Sequence, residues 1–180
     1  GGCAVVEMLN TLEHSDLRSL GHNTAASIHA IAEAMKLGFA DRSVALGDPD
    51  FVQVDVERLT SKAHAAERYA LSSSETAGEY APAEGIEAKE YPGNTSHFAV
   101  MDRFGNALSQ TQTVRDWFGC GIVVDGLGFV LNNAMSDFSA KPGALTSQGL
   151  TYGDANSIQG GKAPLSSMAP SMVFKGGRPF

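Results

Sequence analysis

Two hydrophobic rhythms divide this chain, and the change between them falls just after Asn94. Before it, apolar positions recur at helical spacing. Ile28, Ile31, Met35 and Phe39 follow an i, i+3, i+7 pattern with Ala32 between them, which predicts a helix turning one apolar stripe to a core. Asn23 or Thr24 can cap its start, and Gly47-Asp48-Pro49-Asp50 is a turn signal that stops it. A further helix fits Val56 to Ala70, with Thr60 or Ser61 as an internal restart. Ser72 to Asn94 follows neither rhythm. Ser72-Ser73-Ser74-Glu75 and Ala81-Pro82-Ala83-Glu84-Gly85 are polar and rich in breakers, which predicts a linker or mobile loop. Beyond Asn94 strand-like runs take over. His97 to Met101 and Ala107 to Thr113 predict two strands, with Phe104-Gly105-Asn106 in the turn between them. Gly121 to Val124 and Gly128 to Leu131 predict another hairpin, and Ser171 to Phe174 a last strand. Lys175-Gly176-Gly177-Arg178 reads as a hairpin turn broken off before its return strand. Helices first and strands afterwards predict an α+β arrangement of layers rather than a doubly wound sheet.

Composition narrows the function classes. The chain has 180 residues, enough for one domain with a core. Its formal net charge of −7 disfavours nonspecific nucleic-acid binding, which depends on neutralising phosphates. No apolar run approaches the ~18 residues of a membrane span. Cys3 and Cys120 match neither a metal-ligand spacing nor a disulfide framework, and read as buried or half-buried thiols. Gly1-Gly2-Cys3 has no starting Met and no basic n-region of a signal peptide, so the sequence is expected to be an excerpt of a longer one.

The sharpest chemical feature is Asn94-Thr95, where the polar segment ends and a strand begins. A cut before Thr95 would give that residue a hydroxyl and a free α-amine together. Such an amine titrates near about 7.7–8, so a good fraction is neutral at physiological pH and can act as general base. One residue would then supply both nucleophile and base, which suits acyl transfer from amides. The cut itself could be self-catalysed, through attack of the hydroxyl on the preceding carbonyl and hydrolysis of the resulting ester. On spacing alone, Thr95 is equally a common strand-starting residue.

The surrounding residues carry a resemblance. Asn94-Thr95-Ser96-His97-Phe98-Ala99-Val100-Met101-Asp102, followed by Gly105-Asn106-Ala107, closely resembles the start of the small subunit of the γ-glutamyltransferases, N-terminal-nucleophile hydrolases cut at that point. Gly128-Phe129-Val130-Leu131-Asn132-Asn133 with Met135, Asp137, Phe138 and Ser139 is similar to a further family segment. So are Ala140-Lys141-Pro142-Gly143, Gly153-Asp154-Ala155-Asn156 and Pro164-Leu165-Ser166-Ser167-Met168-Ala169-Pro170. Upstream, Ala40-Asp41-Arg42-Ser43 and Leu46 to Val52 resemble the end of the large subunit. The resemblance implies an αββα sandwich built from both subunits of one precursor. Residues 1–94 would be the C-terminal part of the large subunit, mainly helical with a linker at 72–94. Residues 95–180 would be the N-terminal part of the small subunit, mainly strands. It implies γ-glutamyl transfer or hydrolysis through an acyl-enzyme ester, with glutathione-type donors and water or an amine as acceptor. Neither a metal nor an organic cofactor is implied. A periplasmic or extracellular location is.

By position, the resemblance makes Thr95 the nucleophile and Thr113 the residue that orients it. Asp137 matches the carboxylate that pairs with the donor's α-ammonium. Ser166 and Ser167 match the pair that hydrogen-bonds its α-carboxylate, and the residue types suit those partners. Each has a plainer reading: Thr113 as β-branched filler, Asp137 as a turn cap, Ser166-Ser167 as a turn bonded to its own backbone. His97 reads as structural, since the amine makes a second base unnecessary. The resemblance also places an oxyanion-hole glycine pair after Phe180 and a carboxylate-clamping Arg before Gly1, so these 180 residues alone are expected to be inactive.

Two departures bear on substrate. The family commonly has Asn where Arg115 stands and Gln where Ala134 stands, and both help to hold the donor's ammonium. Arg115 offers hydrogen-bond donors only and cannot accept from an ammonium, while Ala134 has no polar side-chain atom. Arg115 is therefore expected either to pair with Asp137 or to read a carboxylate. Either would move preference toward glutaryl-like or other acyl groups and make the protein a related acylase. A non-catalytic homologue used for binding is the other alternative. Trp117 either walls the acyl pocket or packs in the core.

Overall fold

A computed structural model describes residues 1–80, 95–144 and 152–180. Five helices come first: α1 (Gly2–Leu12), α2 (Leu17–Leu20), α3 (Ala25–Ala45), α4 (Val56–Leu59) and α5 (Lys62–Tyr69). Side-chain caps set the starts of α2 to α5, as the sequence predicts for α3, where Thr24 Oγ1 accepts from the Ser27 N–H at 3.1 Å. The helix expected over Val56 to Ala70 is two helices, because Ser61 Oγ accepts from the His64 N–H at 3.1 Å and starts a new turn there. Asp48 closes the turn after α3, accepting the Asp50 N–H at 3.1 Å on Oδ1.

α1 lies between α3 and α5 and packs on both. The face of α3 that meets it is not the expected one. Ile28, Ile31 and Met35 are exposed and Phe39 is half-buried, whereas Ser27, Ala34, Leu37, Gly38 and Ala40 are buried. The reason is distance. A Cβ on Gly38 would come 2.7 Å from Met8 Cγ, so small residues let the two helices approach closely and the larger apolar side chains point elsewhere. Residues 72–80 of the expected linker form neither helix nor strand. His29 Nε2 lies 2.7 Å from Ser73 O, and Glu33 receives the Gly78 N–H at 2.9 Å and the Tyr80 hydroxyl. This stretch is fastened to α3. The rest of the expected linker, 81–94, lies outside the described residues.

Beyond it, β1 (Thr95–Met101) and β2 (Ala107–Thr113) form an antiparallel hairpin with Thr95 opposite Thr113 and His97 opposite Thr111. Asp102 Oδ1 holds its turn, accepting from Phe104 N at 2.8 Å and Asn106 N at 2.9 Å. The hairpin expected at 121–131 is reduced to one bridge, Val123 to Val130. The last expected strand contracts to β3 (Phe174–Lys175), and its return strand is present as β4 (Arg178–Pro179). Gly176 and Gly177 have φ of 59° and 77°, the left-handed pair that a two-residue hairpin turn requires. The described residues are thus a mixture of helix and sheet.

The helical layer is joined to the later segments at the C-terminal end of α3. A short 3₁₀ turn at Asp154–Asn156 rests there. The Gly153 N–H donates to Ser43 O at 2.6 Å, and a Cβ on Gly47 would be 2.3 Å from Ala155 O. Phe138 and Tyr152 are buried in the same region.

Candidate active site

Strand alternation puts Thr95, His97, Thr111 and Thr113 on one face of the hairpin. Thr95 Oγ1 is hydrogen-bonded to Thr113 Oγ1 at 3.1 Å. His97 Nδ1 lies 2.8 Å from Thr111 Oγ1, so the ring is engaged along the strand, one cross-strand pair away from Thr95. Thr113 Oγ1 also accepts the Arg115 N–H at 2.9 Å. Asn94, on the other side of the expected cut, lies outside the described residues.

Arg115 turns the chain sharply after β2. Its φ of 77° is in the left-handed region that a bulky residue rarely occupies. Its side chain is 3% exposed, and Nε donates to Asp137 Oδ1 at 2.7 Å. The guanidinium also donates to Asp116 Oδ2 at 2.9 Å and Ser136 O at 3.3 Å. Asp137 ends the 3₁₀ turn Ala134–Asp137. Asn133 Nδ2 and the Arg115 guanidinium share Asp116 Oδ2, which fixes the Asn132-Asn133 segment beside the pair. Of the two readings of Arg115, the pairing with Asp137 is the arrangement found. Trp117 is 60% exposed and therefore does not pack in the core.

The serines reach this cluster through Asn156, which has no exposure at all. Its Nδ2 donates to Asp137 O at 2.7 Å and its Oδ1 accepts the Leu165 N–H at 3.0 Å. Ser166 and Ser167 follow directly. They differ in backing: Ser166 Oγ accepts from the neighbouring Met168 N–H at 3.1 Å, while Ser167 Oγ accepts from Arg42 at 3.0 Å. A continuous run of hydrogen bonds thus links Thr95, Thr113, Arg115, Asp137, Asn156, the Leu165–Ser167 segment and Arg42 of α3. Asn156 and Arg42 were not singled out from sequence. Both stand inside motifs of the resemblance, but partners so distant in sequence leave no local signal.

Two other features lie apart from these residues. A cavity of about 350 Å³ sits between α1, α3 and residues 69–74, and no expected site residue lines it. Glu7, Asp41 and His64 bring three metal-type donors within 4.8 Å of one another. Arg68 already supplies a cation there, 3.0 Å from Asp41 Oδ2. Ligation through His64 Nε2 would leave an Nδ1–H without an acceptor, since Nδ1 is buried and unbonded. The group is better described as a buried ionic cluster joining α1, α3 and α5. In it, burial first and then Asp41 push the Glu7 carboxyl up to about 9, against the opposing pull of Arg68.

With this geometry in view, the γ-glutamyltranspeptidase family model matches residues 1–180. The chain belongs to that family. A glutathione hydrolase proenzyme of Escherichia coli K12 is 43% identical over 181 residues, covering 99% of this chain and 31% of the relative. An acylase ACY 1 proenzyme of Pseudomonas sp. SE83 is 41% identical over 177 residues, covering 98% of this chain and 29% of the relative. The crystal structure of a cephalosporin acylase from Bacillus halodurans matches with a TM-score of 0.72 and 28% identity, over 99% of this chain and 29% of that one. The chain thus spans about a third of the length of these relatives. No helix among its described residues is long and apolar enough to cross a membrane.

Proposed function

We propose that the full-length protein is an amidohydrolase and acyltransferase that cuts itself before Thr95 and transfers γ-glutamyl-type acyl groups from amide donors. The observation that carries this reading is the Thr95 hydroxyl, first on its strand and 3.1 Å from the Thr113 hydroxyl. In the cut form, the Thr95 α-amine takes the hydroxyl proton while Oγ1 forms a bond to the donor's acyl carbon. The tetrahedral intermediate collapses as the C–N bond breaks, and the amine returns its proton to the leaving nitrogen. Water or an acceptor amine then attacks the ester and regenerates the hydroxyl. Thr113 orients the nucleophile, because a hydroxyl can accept from Thr95 Oγ1–H before attack and donate to the oxygen as its proton leaves. Ser166 and Ser167 receive the donor's distal carboxylate, and Asp137 faces its ammonium. In the same reading residues 1–94 end a large subunit and 95–180 begin a small one, together forming an αββα sandwich. The two names shared among the relatives, glutathione hydrolase and acylase proenzyme, support acyl-enzyme chemistry in a processed precursor.

A second reading of the donor rests on Arg115. Its Nε occupies one oxygen of Asp137 at 2.7 Å, and the ion pair neutralises the carboxylate that an ammonium would need. A donor without an ammonium, such as a glutaryl amide, loses nothing by this, whereas a γ-glutamyl donor loses a charged contact worth about 1.5–3 kcal/mol. Turnover of γ-glutamyl and glutaryl anilides by the full-length protein separates the two. A glutaryl rate equal or higher supports the acylase reading, and Arg115→Asn should then shift the ratio roughly tenfold or more toward γ-glutamyl. A γ-glutamyl rate hundreds of times higher discards it. Thr95→Ala tests the shared chemistry: mass spectrometry should show an uncut chain, without turnover. Self-cutting and turnover that survive the substitution overturn the proposal.

A further inference from the structure

Arg42 is a buried cation with no anion against it among the described residues. Its residue is 3% exposed, and among the described residues it makes no ion pair. Its hydrogen-bond partners are all neutral. NH1 donates to the Tyr152 hydroxyl at 2.8 Å, and NH2 to Ser167 Oγ at 3.0 Å and Leu165 O at 3.5 Å. The rings of Tyr152 and Phe39 lie 5.0 and 5.8 Å from the guanidinium carbon. Cation–π contacts and the negative end of α3 offset part of the desolvation of such a group, but they are not a counter-ion. The other buried Arg of the candidate site shows the contrast, since Arg115 has carboxylates of both Asp116 and Asp137 against it.

The outlet for the Arg42 charge is Ser167. The serine is exposed while the guanidinium behind it is not. Because Ser167 Oγ accepts the Arg42 N–H on a lone pair, its own O–H is left to donate outward, and the cation polarises that O–H. Ser166 has only a backbone N–H behind its oxygen. The two neighbouring hydroxyls are therefore unequal, and the stronger donor is the one in front of the charge.

We infer that Arg42 is a positioning and specificity residue that presents its positive charge, through the Ser167 hydroxyl, to the carboxylate at the far end of the acyl donor. The inference rests on the reading of Ser166 and Ser167 given under Proposed function, but not on the choice of donor. γ-Glutamyl and glutaryl groups carry a carboxylate the same number of bonds from the scissile carbonyl. A bound carboxylate would supply the anion that Arg42 lacks, so the charge discriminates against acyl chains that end in a methyl group.

The test uses the full-length, self-cut protein and three anilides: γ-glutamyl, glutaryl and pentanoyl, the last being glutaryl with a methyl in place of the carboxylate. Wild type should prefer the carboxylate-bearing donors. Arg42→Met should raise their KM roughly 10- to 100-fold and leave pentanoyl turnover within about twofold. Arg42→Lys, which keeps the charge but not the fork, should fall between. Ser167→Ala should show the same donor-selective loss, and Arg42→Met combined with Ser167→Ala should lose no more than the worse single variant. If Arg42→Met does not fold or cut itself, Arg42→Lys and Ser167→Ala carry the comparison. Equal losses on pentanoyl and glutaryl anilide, or fully additive losses in the double variant, overturn the inference. So does a wild type indifferent to the carboxylate. A wild type that stays uncut or turns over none of the three overturns the functional reading itself, and does so before any substitution at Arg42.

Discussion

Glu7 keeps a proton that water would take from it. Its side chain is 2% exposed, and burial followed by the Asp41 carboxylate holds its pKa at about 9 rather than 4.5. A raised folded-state pKa means the native chain keeps a proton that the unfolded chain releases. Its contribution is intact below pH 4.5 and is lost as pH rises toward 9. Glu7→Gln keeps the shape and removes the titration. The variant should melt several degrees above wild type at pH 8, with the gap closing near pH 4.5, as thermal melts across that range would show. An unchanging gap would mean that Glu7 is charged in the folded state. Sequence was an uneven guide at this scale. Thr95, Thr113, Asp137 and the serines stand out in the sequence because each lies in a contiguous motif, and the structure strings them along one run of hydrogen bonds. Arg115 stood out because a donor-only side chain occupied a place that calls for an acceptor. The role of Glu7 depends on what α3 and α5 bring against it, and that of Arg42 on Tyr152 and Ser167, and no local pattern contains either.

Among the elements, the 3₁₀ turn Asp154–Asn156 ties together two segments of the candidate site. Asn156 holds the Asp137 carbonyl and the Leu165 N–H simultaneously. Asn156→Ala would strand both buried backbone groups at a cost of about 2–4 kcal/mol. The expected outcome in the full-length protein is a lower melting temperature together with a raised KM for carboxylate-bearing donors. Asn156→Asp, which loses the donor and sets a buried carboxylate against the Asp137 carbonyl, should be no more stable than Asn156→Ala. A variant that melts early with its KM unchanged would show that the turn supports the fold and not the site. Caps and turns were readable because they are settled within three or four residues, as Thr24, Ser61 and the Phe104-Gly105-Asn106 turn illustrate. The apolar stripe of α3 misled because periodicity reports which residues share a face and not which face is chosen. Here close approach at Gly38 decided for the small residues.

Many large apolar side chains of the described residues lie open to solvent. Ile28, Ile31 and Met35 on α3 and Val100 and Met101 on β1 all lie open. The 180-residue chain produced by itself should therefore bind a hydrophobic dye such as ANS or associate in solution. A monodisperse monomer that leaves the dye dark would contradict this. The order of helices before strands was legible because the rhythm changes once, near residue 95. The joint between the two halves was not, since it consists of contacts such as Gly153 with Ser43 and Ser167 with Arg42. Those contacts span the proposed cut. In the uncut precursor they form at a local concentration set by the tether between the halves, however dilute the solution. Once the bond before Thr95 opens, the same hydrogen bonds become an interface between two polypeptides. Halves synthesised apart would then meet a bimolecular search that the precursor never faces.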